Sequence, residues 1–501
     1  MSQERKIELL RGRLASDQEA RCSSGEGLIV DGVPVGRLAE AHGTPLYVYG
    51  CTALKSRTQS LMAALGGAAE VYYSVKANPS LGICEVLASQ GLGAEVASGG
   101  ELILAGEAGF PAERTLFAGP GKSCEELLLA ASRRIEAINV ESMGELERVS
   151  SIGNAMGGRV RVALRVNPAR ASGGARMRMG GATQQFGIPE EDLPWVIQRL
   201  PRLSGVELVG LHVYVGTQMF EANEVIEHVR QVVSLAKLVV AALGRPLSLV
   251  DLGGGLGIPY FEGTSELDLA VFGAGVRKVI FEAREEGGLD RARFVFELGR
   301  YVVAECGVYV ARVLDVKKHR GKTFVVTDGG MHHNVMATGN FGQVFKKPYP
   351  IACVGRARHQ VGCERGVCLD EEEEAGPRGG GQGDAFAVSS DTSVPLEDLG
   401  WCSKGSRIRA SVVGPCCTPL DVLAHDISLP VVAPGDLIGV FYSGAYGYSA
   451  SSLSFLSHPT PAEILVDRGK EHVLRERGTM DQVLRGQSRL DPGQYADVSV
   501  G

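Results

Sequence analysis

What most constrains the fold of this chain is the rhythm of its apolar segments between about residues 45 and 300. Short β-rich runs recur there: LYVYG (46 to 50), EVYYSV (70 to 75), GAEVA (93 to 97), TLFAG (115 to 119), AINV (137 to 140), VRVALRV (160 to 166), VGLHVYV (209 to 215), SLVDLGG (248 to 254) and RFVFEL (293 to 298). Between them lie stretches such as SLGICEVLASQ and NEVIEHVRQVVSLAKLVVAALG, whose apolar residues repeat at helical spacing. Roughly eight such β/α units in about 250 residues have the size of a (β/α)₈ barrel, which carries its chemistry on the loops after the strand C-termini.

Past residue 303 the pattern changes to strands joined by turns, VYVARVLDVKKHRGKTFVVTD, then SRIRASVVG and DLIGVFYSG. Few helical stretches there are long enough to return over a parallel sheet, so a second, mainly antiparallel β domain is expected. The expected organisation is an N-terminal segment, 1–44, packing on the β domain; a barrel, 45–303; the β domain, 304–470; and a tail, 471–501. DEEEEAGPRGGGQGD, a charge run followed by a Gly-rich stretch, reads as a solvated insertion within 363–404.

Composition narrows the function. The 501 residues hold 51 Lys and Arg against 58 Asp and Glu, a net charge of −7, which argues against a general nucleic-acid binder. No apolar run reaches the roughly 20 residues of a membrane span, and no apolar core follows the charged N-terminus, so a cytoplasmic protein is expected. Eleven cysteines at irregular spacing suit reduced thiols. Cys363 and Cys368 are not followed by a second ligand pair, so no metal is expected.

Several motifs fall where a barrel would place chemistry. Lys76, in VYYSVKAN, ends an apolar strand. It is either a surface lysine or an amine that forms a Schiff base with a carbonyl cofactor. SLVDLGGGLG (248 to 257) fails the G-x-G-x-x-G template, yet its glycines free consecutive N–H groups to wrap a phosphate. ELGRY closes another strand with Glu297 and Arg300: a plain ion pair, or a phosphate partner beside an acid that meets a basic ring nitrogen. GPCCTPLD (414 to 421) presents two thiols in a turn, and SGAYGYS adds Tyr446 and Tyr448, compatible with phosphate contact or simple packing.

Taken in order, YSVKAN, GAEVASGGEL, FAGPGKS, INVES, RVNP, QFGI, GLHVYVGTQ, DLGGGLG, ELGRY, GPCCTPLD and SGAY resemble the fold type III pyridoxal-phosphate decarboxylases, the diaminopimelate, ornithine and arginine decarboxylase family, over about residues 45 to 456. RMRMGGATQQFGI and DGGMHHNVMATGNFGQVFKKPYP look closest to a biosynthetic-cluster branch that includes the butirosin enzyme acting on carrier-bound glutamate. The resemblance implies an alanine-racemase-like barrel and pyridoxal 5'-phosphate as cofactor. It implies Lys76 as the Schiff-base lysine and Glu297 as the carboxylate on the pyridinium nitrogen. Thr217, Gly254, Gly255, Gly299, Arg300 and Tyr446 would cradle the cofactor, and Tyr214 would lie on its ring. Cys417 would be the catalytic thiol, lent across a homodimer, with Thr418 and Asp421 near the substrate.

Three departures from that family pattern stand out. Tyr214 replaces a histidine, Leu298 replaces a proline, and Thr418 replaces the acid that holds a distal ammonium in relatives acting on diamino acids. An ammonium buried without a countercharge is costly. The expected substrate therefore has a neutral, acidic or conjugated far end: a carrier-protein thioester, a small dicarboxylic amino acid or a specialised biosynthetic intermediate. The expected reaction is decarboxylation of an L-amino acid or its derivative. The rivals are an amino-acid racemase, against which Glu297 speaks because it strengthens the electron sink, and a noncatalytic cofactor-binding protein, against which the second domain and Cys417 speak.

Overall fold

The computed structural model describes residues 1–15, 27–169, 177–178, 185–214, 216–340, 347–356 and 406–490. Cys363, Cys368 and the 363–404 stretch expected as an insertion lie outside the described residues.

Eight of the nine expected strands close a parallel barrel. In chain order they are Glu70–Ser74, Gly93–Val96, Thr115–Phe117, Ala137–Val140, Val160–Asn167, Val206–Val213, Leu249–Asp251 and Arg293–Leu298. Each pairs in parallel with its sequence neighbour, and Arg293–Leu298 returns to Glu70–Ser74, with Glu297 opposite Tyr72. The barrel floor is packed, as in other barrels whose interiors are filled by layers of side chains. Tyr72, Leu116, Ala137, Ala163, Val209, Leu249 and Val295 form one buried cluster with one residue from each of seven strands. The remaining strand contributes Gly93, where a Cβ would meet the Tyr72 ring, so the glycine makes room for the tyrosine. With the floor sealed, the opposite mouth, at the strand C-termini, is left for chemistry.

The ninth expected strand corrects the domain boundary. Leu46–Gly50 forms, but in the second sheet, antiparallel to Gly307–His319 and parallel to Ala462–Asp467. All five of its residues are buried. A fully apolar strand has no alternation to say which sheet it joins, so the period could not separate the two. Among the described residues the second sheet has nine strands and is mainly antiparallel, ordered from Val422–Pro430 through Arg407–Val413, Lys322–Thr327 and Gly307–His319 to Leu46–Gly50, Ala462–Asp467 and Lys470–Arg475; Leu437–Val440 and Ile351–Gly355 branch from it. The start of the expected tail is therefore an edge strand, and Arg475 binds Glu463 at 2.7 Å.

The N-terminal helix, Gln3–Leu14, bridges both units rather than resting on the β domain alone. Its Arg11 donates to the Cys353 carbonyl, whereas buried Lys6 donates to the carbonyls of Pro259 and Phe261, on the barrel side. Burial pulls the Lys6 amine down to about 8, and the nearby Glu262 and Glu266 oppose that shift. No helix among the described residues is long and apolar enough to cross a membrane.

Candidate active site

The barrel mouth meets a loop of the second domain. Lys76 lies in a single 3-10 turn, Val75–Ala77, directly after the first barrel strand. The Tyr446 N–H donates to the Ala77 carbonyl at 2.7 Å, and the Asn78 amide donates to the Gly444 carbonyl at 3.0 Å, so the SGAY turn is clamped to the lysine segment. Ser74, Lys76, Tyr214, Thr217, Gly255, Glu297, Gly299, Arg300 and Tyr446 line one narrow cleft. Eight of the residues singled out from sequence thus converge on a single cavity.

Gly254 does not line it. A Cβ there would collide with the Glu297 carbonyl, and one at Gly255, where φ is +112°, would collide with that of Gly216. These glycines let the loop seat itself between the sixth and eighth strands. Arg300 lies over the Tyr446 ring at 4.8 Å, and its guanidinium donates to the Tyr260 hydroxyl at 3.4 Å. Burial pushes the Tyr214 phenol up to about 12, so it is a neutral aromatic face.

Sequence reasoning missed the acids and histidine behind these groups. Lys76 Nζ lies 2.8 Å from both oxygens of Glu95, a buried residue of the second strand. Packing around the amine would lower its pKa, but Glu95, with Tyr446 and Glu297 behind it, holds it above the ordinary lysine range. Deeper in the lumen, Glu297 meets His212 Nε2 at 3.1 Å, and the Asn139 amide reaches both Asp251 (3.3 Å) and Glu297 (3.4 Å). Burial alone would raise Glu297, yet His212 and Asp251 hold it below the ordinary carboxylate range. Asp251 is driven the other way, first by burial and then by the Glu297 charge. Burial and mutual repulsion thus push the two carboxyls apart, Asp251 up and Glu297 down. The missed signal was one buried polar residue in each of four largely apolar barrel strands: Glu95, Asn139, His212 and Asp251.

The family motifs on the early loops do structural work. Glu141 accepts from Arg165 at 2.6 Å and from the N–H groups of Gly119 and Gly187, and Lys122 pairs with Glu145 in the interior.

Cys417 is exposed and does not line the cleft of its own chain. Asp421, expected near the substrate, is a buried anchor whose oxygens accept from the N–H groups of Met331 (2.6 Å) and Cys416 (2.8 Å). The Thr418 hydroxyl accepts from the Leu420 N–H at 3.3 Å, a local turn bond.

Two family models match this sequence. The pyridoxal-dependent decarboxylase pyridoxal binding domain covers residues 52–304, and the C-terminal sheet domain of the same enzymes covers 385–444. The chain belongs to the pyridoxal-dependent decarboxylase family. Among its relatives is the L-glutamyl-[BtrI acyl-carrier protein] decarboxylase of Niallia circulans, 33% identical over 92% of this chain and 98% of that protein. The diaminopimelate decarboxylase of Aquifex aeolicus is 29% identical over 91% of this chain and 94% of its own length. The crystal structure of diaminopimelate decarboxylase from Helicobacter pylori complexed with L-lysine aligns with a TM-score of 0.73 at 27% identity, covering 90% of this chain and 98% of that one.

This decarboxylase is therefore a pyridoxal-phosphate-dependent carboxy-lyase, and its cleft suits the cofactor. Lys76, Glu297, Arg300, Gly255 and Gly299 line the same cleft, a lining that fits a group with an aldehyde, a basic ring nitrogen and a phosphate: Lys76 would hold the aldehyde, the buried Glu297 carboxyl the ring nitrogen, and Arg300 with the glycine backbone the phosphate.

Proposed function

We propose that this decarboxylase acts on an amino acid whose far end carries no ammonium group, presented as a carrier-protein thioester. One observation carries the reading. The Gly414–Asp421 loop, which in the family follows the catalytic thiol into the site, offers no acid to hold a distal cation. Thr418 is neutral, and the loop's one carboxylate, Asp421, spends its oxygens on the backbone N–H groups of Met331 and Cys416. The relative from Niallia circulans, which decarboxylates a carrier-bound glutamyl group, supports the same choice.

When bound, pyridoxal phosphate supplies a conjugated ring that accepts the electrons left by the departing carboxylate. The chain's residues divide the remaining work. Lys76 would hold the cofactor through its amine. Glu297, positioned by His212 and Asn139, would hold the ring nitrogen in its protonated form. Thr217, Gly255, Gly299, Arg300 and Tyr446 hold the phosphate, and Tyr214 covers the ring. Cys417 gives a proton to the former α-carbon. The family resemblance implies a homodimer in which each cysteine loop completes the partner's site, and an exposed Cys417 outside its own chain's cleft supports that reading. We place it in the cytoplasm with its carrier.

The test is CO₂ release from a panel of free and carrier-linked amino acids. Turnover of the glutamyl-carrier thioester, without turnover of diaminopimelate, lysine or ornithine, is expected. Efficient decarboxylation of any of those three diamino acids would refute the reading.

A further inference from the structure

Behind the cysteine loop, three segments far apart in sequence bring two imidazoles and a thiol together. His332 follows the strand Lys322–Thr327, Cys416 sits in the Gly414–Asp421 turn, and His458 caps the short turn Phe455–Ser457. One nitrogen of each histidine and the Cys416 sulfur lie within 4.8 Å of one another. Cys416 Sγ is 3.0 Å from His332 Nδ1, and the His332 and His458 rings are 4.7 Å apart. His332 and Cys416 are buried, and His458 is partly open to solvent, which leaves an entry path.

The neighbours are already committed elsewhere. The His333 ring packs, tilted, against His332 with centroids 3.7 Å apart, but its Nε2 faces the Pro459 carbonyl at 3.0 Å. Asp421 fixes the Cys416 backbone N–H and so orients the thiol from behind. An independent sign of a missing partner is the His332 Nε2: the residue is wholly buried, yet this atom has no hydrogen-bond partner among the described residues. A buried polar atom left unpaired costs free energy comparable to a lost hydrogen bond, and such exceptions call for an explanation.

We infer that His332, Cys416 and His458 form a binding site for a thiophilic divalent cation, zinc above all. One thiolate and two imidazoles are a zinc donor set, and three protein ligands leave the fourth tetrahedral position to water. With metal–sulfur and metal–nitrogen bonds of about 2.3 and 2.0–2.1 Å, tetrahedral ligands sit roughly 3.5 Å apart, so loading asks for side-chain shifts of about an ångström or less. Binding replaces the Cys416 S–H proton, released to water, with a metal–sulfur bond. The cation would pin three loops of the second domain together directly behind Cys417 while leaving that exposed thiol free. The site is separate from the His212, Asp251 and Glu297 group, which belongs to the barrel cleft. Its existence does not depend on the substrate proposed above.

The experiment uses untagged, full-length holoenzyme freed of metal by a chelator, then equilibrated with Zn²⁺ or Co²⁺ and desalted. About one equivalent of metal per chain should be retained, with the intense visible bands of tetrahedral cobalt. Zinc should raise the thermal midpoint. Cys416→Ala should abolish retention, and His458→Ala, at a partly exposed position that need not disturb the core, should do the same. Cys417→Ala should retain the metal. Failure of the wild-type chain to hold stoichiometric metal, retention unchanged in folded Cys416→Ala and His458→Ala proteins, or loss in Cys417→Ala would each overturn the assignment.

Discussion

Glu95→Gln offers the most direct test of how the barrel mouth controls its lysine. Lys76 Nζ stands 2.8 Å from both Glu95 oxygens, and Glu95 is buried. At an effective dielectric of about 20, unit charges at that separation attract by roughly 6 kcal/mol. That is a ceiling, because 45% of the Lys76 side chain is exposed toward the cleft and solvent screens the pair. A screened value of about 1.5–3 kcal/mol corresponds to roughly one to two pH units. The sign follows from which form the anion favours. Glu95 stabilises the ammonium, and only the neutral amine attacks the cofactor aldehyde, so removing the charge lets the amine react at lower pH. In apo-protein mixed with pyridoxal phosphate across a pH series, the midpoint of the capture rate, read from the visible band of the attached cofactor, should fall by about one to two units in Glu95→Gln. A midpoint that stays in place, or rises, would refute the view that this carboxylate sets the charge of Lys76.

Two further predictions address the lumen and the dimer. Because burial and the Glu297 charge push the Asp251 carboxyl up while Glu297 is held down, Asp251→Asn should keep both cofactor and most turnover. Glu297→Gln should keep the colour but lose activity by about 100-fold or more. Equal losses in steady-state CO₂ release from the two variants would refute this division between the two carboxyls. Lys76→Ala and Cys417→Ala homodimers should each be nearly inactive, and mixing them after reversible dissociation should restore CO₂ release, since one site of the hybrid regains both groups. Absence of complementation in verified hybrids would place Cys417 outside a shared site.

Much of this molecule was legible before any coordinates. Eight barrel strands showed themselves as apolar runs at regular spacing, and Lys76, Thr217, Gly255, Gly299, Arg300 and Glu297 stood at strand ends where a barrel delivers side chains to its mouth. The glycines of SLVDLGGGLG were visible as backbone that must approach something closely. That Gly254 approaches the Glu297 carbonyl, rather than the cleft, was not. Glu95, Asn139, His212 and Asp251 were hidden in plain view as single polar residues inside apolar strands, where period-2 patterning reads an inward face without saying what meets across the lumen.

Local rules acting on neighbouring residues determined the element types, the barrel and the chemistry-bearing strand ends. Only tertiary structure decided that Leu46–Gly50 belongs to the second sheet, since a strand buried on both faces carries no mark of its partner. It alone divided the charges, lowering Glu297 and raising Asp251, because a pKa depends on burial and on which charge stands a few ångströms away. The convergence of His332, Cys416 and His458 is of the same kind: their spacing in the chain matches no ligand motif, and three loops of one folded domain bring them together.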